Sequence, residues 1–330
     1  MANGESGMKI LMIAPPYREC PPSGYGGAER VVYWYVRELL KRNHEVSTCC
    51  VTGSAVPNVL EWDAGDMLMH AHVREQPYFE SIEPYLDFKW DIVHDHTHFK
   101  IPSIYCNEHG INYLNTCHLP NPPFVGNAVA LSQAHKLSVS PTAEIIHLGV
   151  PIADYNFSKH KSDYFLYLGY MAPHKRVHLA IRACKEADVD LFVAGPYDDF
   201  RDYFHKEVMP LFDHRRKYVG ETKGEEKLTL LTNAKAILLP IDWPEPGSTV
   251  AFEAMASGTP VIGWQKGALV DIIRDDVGIL VDNYEDFVKA IMNPPTDYVK
   301  CREYVKKFDI PSRIDLYERL YKRIMKGKTW

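Results

Sequence analysis

Between residues 164 and 281, short apolar runs alternate with helix-patterned segments, and this alternation leaves few folds open. The runs at 164–169, 189–194, 235–240, 260–263 and 278–281 have the length and β-branched content of buried strands. Helical patterns cover 177–187, 199–211, 225–233 and 249–257, with further helices running to the end of the chain. Strands joined through helices must lie parallel and be covered on both faces. The expectation is a doubly wound sheet with its ligands at the carboxyl ends of the strands.

The first half is α/β as well, though less regular. KILMIAPP at 9–16 is strand-like, a Pro- and Gly-rich loop follows, then a helix over 28–42 and a strand over 45–52. Further strands are expected at 91–96, 113–117, 128–132 and 144–148. A polar stretch at 154–163, with Asn156, Ser158, Lys159, His160 and Lys161, reads as a linker. A chain of 330 residues exceeds what one core usually serves. The sequence therefore predicts an N-terminal domain over 1–155, a second over 156–310, and a closing helix over 311–330 that packs back towards the first. Two facing doubly wound domains imply a central cleft.

Composition excludes several functions. A net charge of −6 gives no global attraction to nucleic acid or anionic lipid. Seven scattered cysteines, with no C-x-x-C, fit neither a disulfide framework nor a zinc ribbon and point to a reducing, cytoplasmic setting. The apolar stretch at 10–16 is strand-sized, not a signal peptide or a membrane span. Arg30, Arg37 and Lys41 share one side of the first helix. Peripheral membrane contact is open to such a face, but a solvated helix is the ordinary reading.

The run WPEPGSTVAFEAMASGTPVIG at 243–263 carries the strongest chemical signal. A strand ending at Pro240 leads into a loop and then a helix, with Gly247, Ser248 and Thr249 at the turn. Free backbone N–H groups at such a helix start present a positive end to phosphate oxygens. Glu245 stands in the loop, where a sugar would lie. Glu253, one or two turns into the helix, can accept hydrogen bonds from ribose hydroxyls.

This run resembles the E-x7-E signature of the family-four glycosyltransferases, the group related to glycogen and sucrose synthases, including its E-A-M-A-S-G-T-P-V-I continuation. Matching stretches follow in order along most of the chain: APP…YGGAERVV near the start, TCHLP at 116–120, IIHLGV at 145–150, LGYMAPHK at 168–175 and VGE at 219–221. The resemblance implies a GT-B fold of two Rossmann-like domains, the donor nucleotide on the second and the acceptor on the first. It also implies transfer with retention and without a metal ion or other cofactor. By the same resemblance, Lys175 is the cation on the donor pyrophosphate, and Gly26 and Gly27 form a second backbone cradle. His118 corresponds to the histidine beside the sugar, and Glu245 positions the sugar without forming a covalent intermediate.

Three positions depart from the family pattern. Gly169-Tyr170 replaces the usual G-R, Arg176 follows the lysine where glycine is usual, and P-G-S-T replaces P-F-G-L. Tyr170 cannot supply the missing charge, so Arg176 is expected to grip the phosphate in its place.

Weaker patterns have plainer readings. His94, His96 and His98 share a face of an extended chain and could bind zinc, but a strand end rich in histidine is the ordinary account. Gly24-x-Gly26 has Glu29 where a dinucleotide fingerprint needs Gly or Ala, which disfavours a dehydrogenase. The expected donor is a uridine diphosphate sugar, with guanosine diphosphate mannose as rival. The acceptor is open among a glycan, a lipid-linked sugar and a small metabolite, and Tyr105, Tyr113 and Phe124 show no decisive stacking pattern. A catalytically silent nucleotide-sugar sensor and, behind it, a nucleotide-sugar epimerase are the alternatives.

Overall fold

The computed structural model describes residues 7–63, 71–123 and 125–330, so Phe124 lies outside the described residues. The chain forms two compact units, one of Met1–Leu148 with Ile310–Trp330, the other of Gly149–Asp309.

The first unit is built on a seven-stranded sheet: β1 (Lys9–Ile13), β2 (Glu45–Val51), β3 (Val59–Trp62), β4 (Ile92–Asp95), β5 (Tyr113–Thr116), β6 (Ala128–Ala130) and β7 (Glu144–Ile145). Its order is β3-β2-β1-β4-β5-β6-β7, with every pairing parallel. Ile10 lies in register with Val46 on one side and Ile92 on the other. All residues of β4, β5 and β6 are buried, as a sheet covered on both faces requires.

The helix Gly27–Lys41 buries Val31, Val32, Tyr35, Val36 and Leu39, one face at helical spacing. The closing helix Ile310–Met325 buries Ile314, Tyr317, Tyr321 and Ile324 in this same unit. Tyr317 packs on Tyr35 with ring centroids 5.1 Å apart, and Arg42 donates to Asp315 (2.6 Å) and to the carbonyl of Pro311 (2.7 Å). Tyr105 and Tyr113 both belong to the apolar core around Tyr78 and Phe79.

The second unit holds a six-stranded parallel sheet: β8 (Tyr164–Leu168), β9 (Asp190–Ala194), β10 (Arg216–Tyr218), β11 (Ile237–Leu239), β12 (Val261–Trp264) and β13 (Gly278–Val281). Its order is β10-β9-β8-β11-β12-β13. The units divide at Leu148 and Gly149, so the polar stretch 154–163 lies inside the second unit. Residues 150–155 are anchored there. Val150 N–H donates to the Phe308 carbonyl (3.3 Å), and Arg302 donates to the carbonyls of Ile152 (3.0 Å) and Tyr155 (3.1 Å).

Three elements have no clear periodic signal. β3 and β10 are short edge strands, paired on one side only, so neither needs a continuous apolar run. The helix Ala71–Leu86 carries Pro77 and Pro84, which argue against a helix in any local reading. The expected helix over 199–211 is instead a broken one, with a π-helical turn at Phe204–Val208 between 3-10 turns. All seven cysteines are free and buried. Among the described residues, no helix is long and apolar enough to cross a membrane.

Candidate functional site

A doubly wound sheet opens a crevice where the strand order reverses. In the second unit that point lies between β8 and β11, neighbours in the sheet whose connections run to opposite sides. The loops leaving these two strands carry Lys175 and Arg176 on one side and Asp242, Trp243 and Glu245 on the other.

Their charges are paired. Lys175 Nζ donates to Glu245 Oε1, joining the two loops, and lies 5.6 Å from the Trp243 ring centroid. Arg176 pairs with Asp242, which also takes Lys266 from the loop after β12. The Asp242 carboxyl is held below its ordinary pKa, first by the Lys266 hydrogen bond and then by the Arg176 charge. Arg176 and Lys266 both lie near the Trp264 ring, at 5.9 and 6.0 Å.

Polar atoms at these strand ends are buried but unsatisfied: Glu245 Oε2, Ser248 Oγ, Trp243 Nε1 and Trp264 Nε1 have no hydrogen-bond partner among the described residues. Buried polar groups are nearly always paired, so four such atoms around one strand-end cluster mark a place suited to a polar ligand. Gly267 fits closely under Glu245, where a Cβ would come within 2.5 Å of the Glu245 nitrogen and 2.7 Å of its carbonyl oxygen.

Gly247 and Ser248 lead into the helix Thr249–Ala256, with Ser248 at the N-cap position. The Ser248 side chain makes no capping hydrogen bond, contrary to what a Ser at this position suggests, because its backbone (φ −121°, ψ 89°) leaves the hydroxyl off the helix N–H groups. Glu253, on this helix, is 3 % exposed. Its Oε1 accepts from Tyr155 Oη (2.8 Å) and Lys227 Nζ (2.7 Å), which leaves Oε2 as the oxygen open to a further donor. Tyr170 serves the fold: its Oη accepts from the Asp199 N–H at 3.0 Å, and burial pushes its pKa up to about 12.

In the first unit the strand order reverses between β1 and β4. Gly26 and Gly27 end the loop after β1, at the start of the helix Gly27–Lys41. Gly26 has φ +156°, and a Cβ there would meet Pro22 at 2.8 Å, so only glycine fits. Arg30 braces the loop by donating to the carbonyls of Gly24 (2.7 Å) and Pro22 (3.0 Å). Buried Glu75 ties it to the loop after β4, accepting from Tyr17 Oη (2.6 Å), His98 N–H (2.6 Å) and Phe99 N–H (2.7 Å). Glu29, in the first turn of the helix, is 4 % exposed, and burial pushes its carboxyl up to about 7.

His118 follows β5 and is half-buried. Its Nε2 lies 2.9 Å from Nδ1 of fully buried His96, with the rings stacked at 5.2 Å. His94, His96 and His98 take separate roles. His94 bonds Tyr321 Oη (2.7 Å) and Thr116 Oγ1 (2.8 Å), His96 bonds His118, and His98 packs against Tyr17 with tilted rings 4.7 Å apart. Among the described residues, no group of three or more His, Cys, Asp or Glu side chains is arranged to hold a metal ion. Lys100, fully buried beside these rings, donates to the carbonyl of Thr116 at 2.7 Å.

Of the residues singled out in the sequence, the structure brings Lys175 and Glu245 into contact and sets Arg176 beside them on Asp242. Gly247, Ser248, Thr249 and Glu253 follow on the adjoining helix, while Gly26, Gly27 and His118 belong to the first unit. Asp242, Trp264, Lys266 and Lys100 have no motif that would have announced them, and His96 stood out only as one of three alternating histidines, not as the partner of His118. Their partners are distant in sequence, as with Lys266 and Asp242, 24 residues apart.

Residues 153–308 match the family described as glycosyl transferases group 1. Over 162 residues the chain is 32 % identical to an uncharacterized glycosyltransferase, MJ1607, of Methanocaldococcus jannaschii; the alignment takes in 47 % of this chain and 40 % of that protein. The chain thus spans about two fifths of the length of that relative. The fold is similar over nearly the whole chain to that of AviGT4, a glycosyltransferase involved in avilamycin A biosynthesis. There the TM-score is 0.80 at 26 % identity, covering 98 % of this chain and 99 % of the other. It is also similar to Anabaena Alr3699/HepE, solved with UDP and glucose, with a TM-score of 0.73 at 15 % identity covering 95 % and 99 %. Residues 153–308 are accordingly a glycosyl transferases group 1 domain, carried in a chain whose two parallel-sheet units have the GT-B fold.

Proposed function

We propose that the protein is a retaining glycosyltransferase that moves a hexose from a nucleoside diphosphate sugar, a uridine diphosphate sugar in the first instance, without a metal ion. The observation that carries this is the Lys175–Glu245 pair at the β8–β11 crevice, with Glu245 Oε2 and Ser248 Oγ left unsatisfied beside it. Lys175, Arg176 and Lys266 gather there on the carboxylates of Glu245 and Asp242, which sets cationic side chains at the crevice.

Departure of a nucleoside diphosphate from an anomeric carbon builds negative charge on phosphate and oxocarbenium character on the sugar. In this proposal Lys175 and Arg176 turn from their carboxylates to the diphosphate, and the N–H groups at Gly247, Ser248 and Thr249 add a fixed dipole. Glu245, released from the lysine, orients the sugar. Glu253 Oε2 takes a ribose hydroxyl, its other oxygen being held by Tyr155 and Lys227. The acceptor attacks from the face of the leaving phosphate, which receives the acceptor's proton. In the first unit, Gly26 and Gly27 offer backbone N–H groups to a phosphate, and His118 offers its ring to a sugar hydroxyl. The choice of uridine draws on the UDP and glucose bound by Alr3699/HepE. Guanosine diphosphate mannose is the rival donor.

A panel of nucleotides and nucleotide sugars, read by thermal melting, tests the donor, because a ligand of the folded state raises stability by RT ln(1 + [L]/Kd). UDP and its sugars should raise the midpoint most. No shift with any nucleoside diphosphate, or turnover abolished by chelator and restored by magnesium or manganese, would sink the proposal.

A sensor without turnover is the second reading, motivated by Tyr170, whose side chain anchors the Asp199 loop where the pattern has an arginine. Slow hydrolysis of donor in the absence of acceptor separates the two, since a sensor releases its ligand intact.

A further inference from the structure

We infer that His96 is a positioning residue that fixes the proton of His118 on Nδ1, so that His118 meets its ligand as a hydrogen-bond donor to an oxygen lone pair and not as a general base. This rests on the proposal that His118 faces the ligand; the assignment of the proton itself does not.

The geometry allows one proton between the rings. Burial holds both imidazoles well below their ordinary pKa, and the charge of Lys100 adds to it. Lys100 is itself fully buried, its ammonium held by the carbonyls of Thr116 (2.7 Å) and Asp95 (3.4 Å). The Asp95 carboxylate bonds elsewhere, accepting from Thr97 N–H, Ser103 N–H and Ser103 Oγ. With both rings neutral, the 2.9 Å contact between His96 Nδ1 and His118 Nε2 holds a single hydrogen.

The other nitrogen of His96 decides which ring carries it. His96 is 0 % exposed, and its Nε2 has no partner among the described residues. Were His118 the donor, the His96 proton would sit on Nε2 as a buried N–H with no acceptor, the arrangement folded proteins avoid most consistently. Were His96 the donor, Nε2 would be left as a bare lone pair, which costs less. His96 therefore donates through Nδ1, His118 accepts through Nε2, and the His118 proton lies on Nδ1. No described residue bonds Nδ1 of His118, so that N–H is the group it offers. With Nε2 occupied, His118 has no free lone pair for an acceptor's proton.

The test uses the full chain labelled with ¹⁵N-histidine, its His118 signals assigned by their loss in His118→Gln. Long-range ¹H–¹⁵N correlations should show a pyridine-like Nε2 and a protonated Nδ1 for His118 without any ligand. A protonated Nε2, or an imidazolium, overturns the inference. His96→Asn keeps an N–H donor near the place of Nδ1 and should preserve the tautomer, with kcat/KM within about threefold. His96→Leu removes the donor, should populate both tautomers, and should lower kcat/KM about tenfold. Equal kinetics for the two variants, each with a native melting profile, would also overturn it. If His96→Leu does not fold, the spectrum of the unmodified protein still decides. A correct tautomer in a protein that binds no nucleotide sugar would leave the proton assignment standing and sink the transferase proposal alone.

Discussion

Lys175 Nζ and Glu245 Oε1 form an ion pair between loops 70 residues apart in the chain, and the two side chains are only 13 % and 14 % exposed. The pair does two jobs that pull against each other. It steadies the crevice between β8 and β11 in the free protein, and it holds the lysine from any phosphate until one arrives. Removing the lysine strands a half-buried carboxylate whose other oxygen is already unpaired. Lys175→Ala should therefore cost about 2 kcal/mol of stability in denaturant melts and lower kcat/KM for donor by a factor on the order of 100. Full donor turnover in this variant would refute the proposed role of the lysine.

Arg176 sits at φ +49°, ψ +41°, the left-handed region that costs a non-glycine residue about 1 kcal/mol. Arg176→Gly should thus keep or raise the melting temperature, even with the Asp242 pair lost, because an ion pair this exposed contributes little. Donor affinity should fall at the same time. Unchanged affinity for the nucleotide sugar, measured by calorimetry, would show that Arg176 does not grip the diphosphate.

Gly267 is at φ +54°, directly beneath the backbone of Glu245. Gly267→Ala places a methyl group against main-chain atoms that cannot swing aside. A loss on the order of 2 kcal/mol is expected, together with a fall in kcat/KM as Glu245 shifts. A variant with native stability and native activity would show that the Glu245 loop is free to move.

Glu29 gives stability a pH dependence. Its folded pKa of about 7 lies above the ordinary value of 4.5, so the folded state holds its proton more tightly than the unfolded chain. The stabilisation is complete below about 4.5 and is lost as pH rises through about 7, on the order of 3 kcal/mol in all. Glu29→Gln, which cannot ionise, should flatten this part of the pH–stability curve and make the variant the more stable of the two at pH 8. Parallel curves for the two proteins would place the titration elsewhere.

The sequence by itself determined the class of fold. Alternating apolar strands and amphipathic helices, with crossovers too long for hairpins, leave a parallel sheet as the arrangement that buries them, and both observed sheets are parallel. It also marked Lys175, Glu245 and Glu253, which lie in distinctive local runs. Tertiary structure decided the rest. Which strands are neighbours at the crevice follows from the reversal of sheet order between β8 and β11, and no local period encodes that. The Asp242 bridge between Arg176 and Lys266, the His96–His118 contact and the burial of Glu29 each join or enclose groups far apart in the chain. Periodicity reports the faces of single elements, whereas a charge pair, a tautomer or a shifted pKa depends on what the folded chain brings to that face.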